Sequence, residues 1–285
     1  MSIPCLPPEI LDYITDLLRD ESDTLKECCR VSKSWVPRTR RLLFAHIQLG
    51  SLRNLHSWTT VFSDPANSPA YHAHTLTICC PEFVDEMDAG EDGWIQTFSG
   101  VERLIVVRPR INHYYRTEVS LVTFRILSTT LKSLSVTAAR FPLSQIFNLI
   151  YSLPLLEDLA LSGGEAPIGD DDKLDAPSTA VPLTSPAFTG TLELLVCTEI
   201  GNTARRLLDL PNGLHFRKLE LSWYDIDLQW VVRLVAACSG TLECLDVTYC
   251  ADGETYSTSL LDQWSNFYLK VDLARVRSIS LRRRN

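Results

Sequence analysis

Few residues in this chain combine the types and spacing that bond chemistry requires. His72 and His74 lead into a short apolar segment that ends in Cys79-Cys80, and imidazole with thiolate is a zinc-binding set. On a strand, however, Cys79 and Cys80 would point to opposite faces, so no metal is expected there. Asp170, Asp171 and Asp172 set carboxylates side by side, but in a polar stretch without a pocket to tune their pKa values. The chain contains no G-x-S-x-G, P-loop, G-x-G-x-x-G or H-E-x-x-H. No catalytic residue and no cofactor are expected.

The elements that hold the remaining residues must therefore carry the function. The chain has 285 residues and is 45% hydrophobic, enough for one small module and one larger domain with a real core. Its net charge of −8 argues against non-specific nucleic-acid binding. Acid is concentrated around residues 82–92 and 165–175, as in solvated loops. The basic Arg282-Arg283-Arg284 reads as a solvated end. Nine cysteines with no C-x-x-C do not form a recognisable disulfide framework. The N-terminus lacks the pattern of a secretion signal, and no run of about 20 apolar residues could span a membrane. A reduced protein of the cytoplasm, the nucleus or both is expected.

From about residue 73 a pattern of aliphatic-x-x-aliphatic-x-aliphatic returns. It reads Val101-Glu-Arg-Leu104, Leu131-Lys-Ser-Leu134, Leu156-Glu-Asp-Leu159, Leu192-Glu-Leu-Leu195, Phe216-Arg-Lys-Leu219 and Leu242-Glu-Cys-Leu245, with weaker copies centred on Leu76 and Ile279. Each copy suits a short strand with alternate residues in a shared core, and only stacked neighbours could bury it. Helical stripes lie between the strands: Leu143, Ile146, Phe147, Ile150 and Tyr151; Trp230, Val231, Leu234 and Val235; Leu260, Leu261, Trp264 and Phe267. The units resemble degenerate leucine-rich repeats. Spacings of 24 to 36 residues between the central anchors straddle and exceed the usual range of about 20–29. An ordinary α/β domain of βαβ units shares the same periodicity. Residues 163–187, with Gly163-Gly164 and four prolines, read as a mobile surface loop. The residues between the core aliphatics would line an inner binding face for a protein substrate. By alternation they are Arg103, Ser133, Ser135, Asp158, Lys218, Glu220, Ser222, Cys244 and Asp246, with Trp223 and Tyr224 as aromatic anchors just beyond a strand.

The N-terminal segment is organised differently. Pro7 and Pro8 suit a helix start, and Ile10, Leu11, Ile14, Leu17 and Leu18 recur at helical spacing opposite Asp12, Asp16, Arg19 and Asp20. Thr24 and Glu27 have capping-box spacing for a second helix. Pro37 allows a third to start near Trp35, with Leu42, Leu43 and Phe44 inside. Leu6-Pro7, the early aliphatic pair and Val31-x-x-x-Trp35, in that order, resemble the F-box, the three-helix motif of substrate adaptors of cullin–RING ubiquitin ligases. The resemblance implies an adaptor with no catalysis of its own. It implies contacts to a Skp linker subunit, and through it a cullin, from Leu6, Pro7, Ile10, Leu11, Ile14, Leu25, Val31 and Trp35. Trp35 serves equally well as a core residue of the bundle. The expected architecture is an α/β solenoid: an F-box over 1–48, a packed connector over 49–72, and an irregular repeat arc over 73–285. A repeat scaffold with no ligase role is the alternative, the helices then being only a cap.

Overall fold

The computed structural model describes residues 7–64, 67–79, 93–107, 121–137, 143–164, 186–197, 200–223, 228–250 and 276–284. Three helices come first: α1 (Pro8–Leu17), α2 (Ser22–Val31) and α3 (Val36–Leu43). Strand β1 (His46–Leu49), helix α4 (Leu52–Val61) and a 3-10 helix (Pro69–His72) follow. Then come β2 (Thr75–Ile78), the short α5 (Gly93–Gln96), β3 (Arg103–Val107), a second 3-10 helix (Val122–Leu127) and β4 (Ser133–Thr137). Helix α6 (Leu143–Ile150), β5 (Asp158–Gly164), β6 (Thr191–Cys197), α7 (Ile200–Leu208) and β7 (Lys218–Trp223) precede α8 (Leu228–Cys238), β8 (Cys244–Cys250) and β9 (Ser278–Arg284). The expected helix around Leu260, Leu261, Trp264 and Phe267 lies outside the described residues.

The nine strands form one open, wholly parallel sheet in strict sequence order. A doubly wound sheet reverses its strand order at a switch point; this one never does. The register is carried by aliphatic side chains. Ile47, Leu76, Leu104, Leu134, Leu159, Leu192, Leu219, Leu245 and Ile279 pair successively across the sheet. Those from Ile47 to Leu245 are buried in one continuous core with Phe98, Phe124, Phe147, Phe188 and Phe216.

Three expectations change. The sheet begins at His46, inside the segment assigned to the helices and connector, because β1 pairs with β2. In β6 the anchor is Leu192, not Leu195: Leu192 pairs with Leu159, and Leu195 lies on the other face opposite Ser162. With Leu192 and Ile47 in place, the anchor separations by subtraction are 29, 28, 30, 25, 33, 27, 26 and 34. The repeat is thus more regular than the sequence pattern implies. Finally, Gly163 and Gly164 end strand β5 and are not loop, since Gly164 pairs with Cys197; residues 165–185 of that loop lie outside the described residues.

A backbone device recurs at the strand starts. One carbonyl accepts from two successive N–H groups of the next unit: Ala45 from His74 and Thr75, His74 from Glu102 and Arg103, Glu102 from Lys132 and Ser133. Lys132, Gly190, Arg217 and Glu243 repeat it. The exception is the β5–β6 junction, where Glu157 accepts only from Gly190, and the Asp158 carboxylate takes the Thr191 N–H at 2.6 Å. Gly190 belongs to this arrangement. A Cβ there would run into the Asp158 carboxylate and approach the Glu157 carbonyl to 3.2 Å.

In the helical segment, Pro7 is the N-cap of α1 and Pro8 its first residue. Helix α2 starts at Ser22 with Glu21 at its N-cap and no side-chain cap, so the Thr24–Glu27 capping box does not form. Glu27 lies inside the helix and pairs with Arg30 instead. Helix α3 begins as expected, with Trp35 at the N-cap and Pro37 in its first turn. Asp16 departs from its expected place on a solvated face. Arg38 of α3 donates to it from Nε at 2.8 Å and from Nη2 at 2.6 Å, a forked pair with both side chains about two-thirds buried. Thr15 and Thr39 are buried near that pair, and each hydroxyl is satisfied by a backbone carbonyl four residues back.

Candidate functional site

Two surfaces could meet a partner. The first is the outward side of α1. At 100° per residue, Tyr13, Leu17, Ile10, Ile14, Leu18 and Leu11 span an apolar sector of about 160°. The bundle covers only part of it. Leu11, Ile14 and Leu18 are half-buried, whereas Ile10 is 46%, Tyr13 64% and Leu17 68% exposed. Large apolar side chains left out in a row are unusual for a helix whose stripe serves only its own core.

The residues expected to face a linker fall into three groups. Pro7, Ile10 and Val31 are exposed, Val31 at 70%. Leu11, Ile14 and Trp35 are half-buried. Leu25 is 1% exposed and is a core residue of the bundle, so it cannot present its side chain to a partner. Leu6 lies outside the described residues. Tyr13 and Leu17 were missing from the expected set, although their positions three and seven after Ile10 mark them as one stripe.

The second surface is the face of the sheet opposite the core. Parallel sheets are commonly covered on both faces; here Arg103 is exposed, and Ser133, Ser135, Lys218, Glu220, Cys244 and Asp246 are half-buried. Their alternation with the buried leucines is as expected. Two others correct the reading. Asp158 is also half-buried, but its carboxylate is spent on the Thr191 N–H, and Ser222 is buried. For Trp223 only the backbone is described, paired with Tyr249; Tyr224 lies outside the described residues.

The open face is uneven in charge. On β6, β7 and β8 the residues Glu193, Glu220 and Asp246 pair in register, so three carboxylates stand on adjacent strands at a spacing of about 4.8 Å. Lys218 is ion-paired with Glu220, and Arg282 reaches Asp246 at 3.7 Å. Asp246 Oδ1 is buried and has no hydrogen-bond partner among the described residues. Burial pushes the Glu193 carboxyl above its ordinary value, and the Glu220 charge adds to this against the opposing pull of Lys218. The hydrogen bond to Glu220 raises the Lys218 ammonium. Glu193 was absent from the expected set because its anchor was placed three residues too late.

Among the described residues no three His, Cys, Asp or Glu side chains come together to hold a metal. His72 packs its ring on Tyr71, with centroids 3.9 Å apart, and burial followed by Arg41 and Arg40 lowers its pKa. Burial raises the Cys238 thiol pKa to about 12, against the opposing pull of a backbone hydrogen bond with Phe216. Among the described residues no helix is long and apolar enough to cross a membrane. No protein-family model matches the chain, and no curated protein matches it.

Proposed function

We propose that the chain is the substrate-recognition adaptor of a Skp–cullin–F-box ubiquitin ligase. Helices α1–α3 are the F-box, and the sheet with its helices is a degenerate leucine-rich-repeat domain. The observation that carries this reading is the exposed Ile10–Tyr13–Leu17 stripe of α1, which adjoins the half-buried Leu11 and Ile14. Docking on the linker would bury that stripe and gain roughly 25 cal/mol per Å² of apolar surface. Val31 and Pro7 would extend the contact. Strands stacked in sequence order with registered leucines support the repeat reading. A protein substrate would lie on the open face, and the carboxylates of β6–β8 favour a positively charged surface on it. Ubiquitin transfer would be done by other subunits, the adaptor contributing proximity alone.

A scaffold without a ligase role is favoured by one observation: α3 packs on the 3-10 helix at Pro69–His72, so the bundle also caps its own chain. Gel filtration of the intact chain mixed with purified Skp linker and cullin separates the two readings. Co-elution of all three proteins is expected of the adaptor; elution of the chain apart from a linker–cullin complex would leave the scaffold.

A further inference from the structure

Strand β1 is the first of the sheet, and among the described residues only β2 pairs with it. The Ala45 carbonyl accepts from Thr75 and the Leu49 carbonyl from Cys79, both at 2.9 Å. Successive peptide groups of a strand turn to opposite edges. The N–H and C=O of His46 and Gln48 therefore point away from the sheet, with no backbone partner among the described residues. Their side chains leave that edge open, because both lean back over β2. His46 Nε2 is 3.0 Å from Thr77 Oγ1, and Gln48 Nε2 is 3.4 Å from Cys79 Sγ.

Two recesses flank the edge. The larger, about 450 Å³, takes in Ile47 and Leu49 of the core face as well as His46 and Gln48, and is walled by Leu43, Phe44, Trp58, Val61 and Phe62. The smaller, about 270 Å³, includes His46 and Gln48 but not Ile47 or Leu49, which puts it toward the open face; Arg19, Ser22, Leu25 and Leu42 complete it. Among the described residues of these linings Arg19 and His46 are the ionisable groups, and no carboxylate is among them. An unpaired edge with donors and acceptors two residues apart is a template for an added strand. A strand lying there sends alternate side chains to opposite faces, one set to the aromatic wall and the other to Arg19.

We propose that β1 captures an extended segment of a partner protein as a tenth strand, one that alternates large apolar with acidic side chains. A second copy of the chain is a poorer occupant. Pairing β1 with β1 about a two-fold axis would bring Arg19 and His46 against their own counterparts. The site is separate from the α1 stripe and does not depend on linker docking.

The test presents the intact chain with a pool of octapeptides alternating Asp or Glu with Phe, Leu, Ile or Val, and follows amide exchange by mass spectrometry. Retained peptides should slow exchange in residues 46–49, and the same peptides with N-methylated backbones should not be retained. Gln48→Pro removes an outward N–H and leaves the bonds to β2, a change tolerated on edge strands. It should weaken binding about tenfold. Val61→Glu, at an exposed position of the apolar wall, and Arg19→Glu should each weaken it with the fold intact, and they stand as the test if Gln48→Pro does not fold. Failure to retain any peptide, equal retention of the N-methylated set, or indifference to Val61→Glu and Arg19→Glu would overturn the proposal. So would concentration-dependent dimers in ultracentrifugation that protect residues 46–49 and exclude the peptides, since the occupant would then be a second copy.

Discussion

The N-terminal helices and the sheet divide their apolar residues in opposite ways. In the sheet, Leu76, Leu104, Leu134, Leu192, Leu219 and Leu245 are wholly buried, and Phe98, Phe124, Phe147, Phe188 and Phe216 are buried in the same core. In the helices only Leu25 and Cys28 among the hydrophobic residues are buried, while Ile10, Tyr13, Leu17 and Val31 stand in solvent. Beside Leu25 and Cys28, their interior is polar: Thr15 and Thr39 are buried, and the Arg38–Asp16 pair is partly so. The sheet buries its core face through its own stacking. The helical segment has more apolar surface than it can hide, as expected of a module whose remaining face belongs to another protein.

The largest expected effect sharpens this contrast. Leu219→Ala empties a fully buried site and should cost about 2–5 kcal/mol, whereas Leu17→Ala should shift stability by no more than about 0.5 kcal/mol. Urea titrations of the two variants provide the check, and equal losses would erase the distinction. The next effect is local to the sheet. Gly190→Ala should cost about 1–3 kcal/mol by displacing the Asp158 carboxylate from the Thr191 N–H. Asp158→Asn, which keeps an acceptor, should cost less. A neutral Gly190→Ala would show that the β5–β6 junction relaxes freely.

The smallest effect concerns the acid row. The native pKa of Glu193 is raised, so between its ordinary and its raised value the folded chain holds more protons than the unfolded one. Its contribution therefore becomes unfavourable as pH rises through that window. Glu193→Gln should stabilise the chain at pH 7 by about 0.5–1 kcal/mol, and the gain should vanish once the pH falls below the ordinary carboxylate range. Thermal unfolding at both pH values measures it; a loss of stability at pH 7 would mean that the carboxylate makes a favourable contact.

Much of the sheet was legible because its leucines recur with the period of the units. The parts that were not legible have physical reasons. His46–Leu49 is only four residues long with two aliphatics, too short to stand out beside the helix before it. Leu192 and Leu195 both fit the pattern, and the choice between them was made by pairing with Leu159, a neighbour 33 residues away by subtraction. Asp158 has the alternation of a binding residue, but its role depends on the chain arriving from Gly190, which local periodicity does not encode. The α1 stripe was largely legible: aliphatic spacing found Ile10, Leu11, Ile14, Leu17 and Leu18 but passed over Tyr13, whose aromatic ring extends the outward side. The Thr24–Glu27 spacing was a false cap because the helix had already begun at Ser22.

The central claim is that the outward stripe of α1 docks on a linker. Titration calorimetry of the purified Skp linker into the intact chain, and into Ile10→Asp with Leu17→Asp, tests it most directly. These two side chains are exposed, so the double variant should keep the circular dichroism and urea midpoint of the parent. The account predicts saturable binding by the intact chain and at least a hundredfold loss in the variant, about 2.7 kcal/mol. Undiminished binding by the variant, or none by the folded parent, would contradict it.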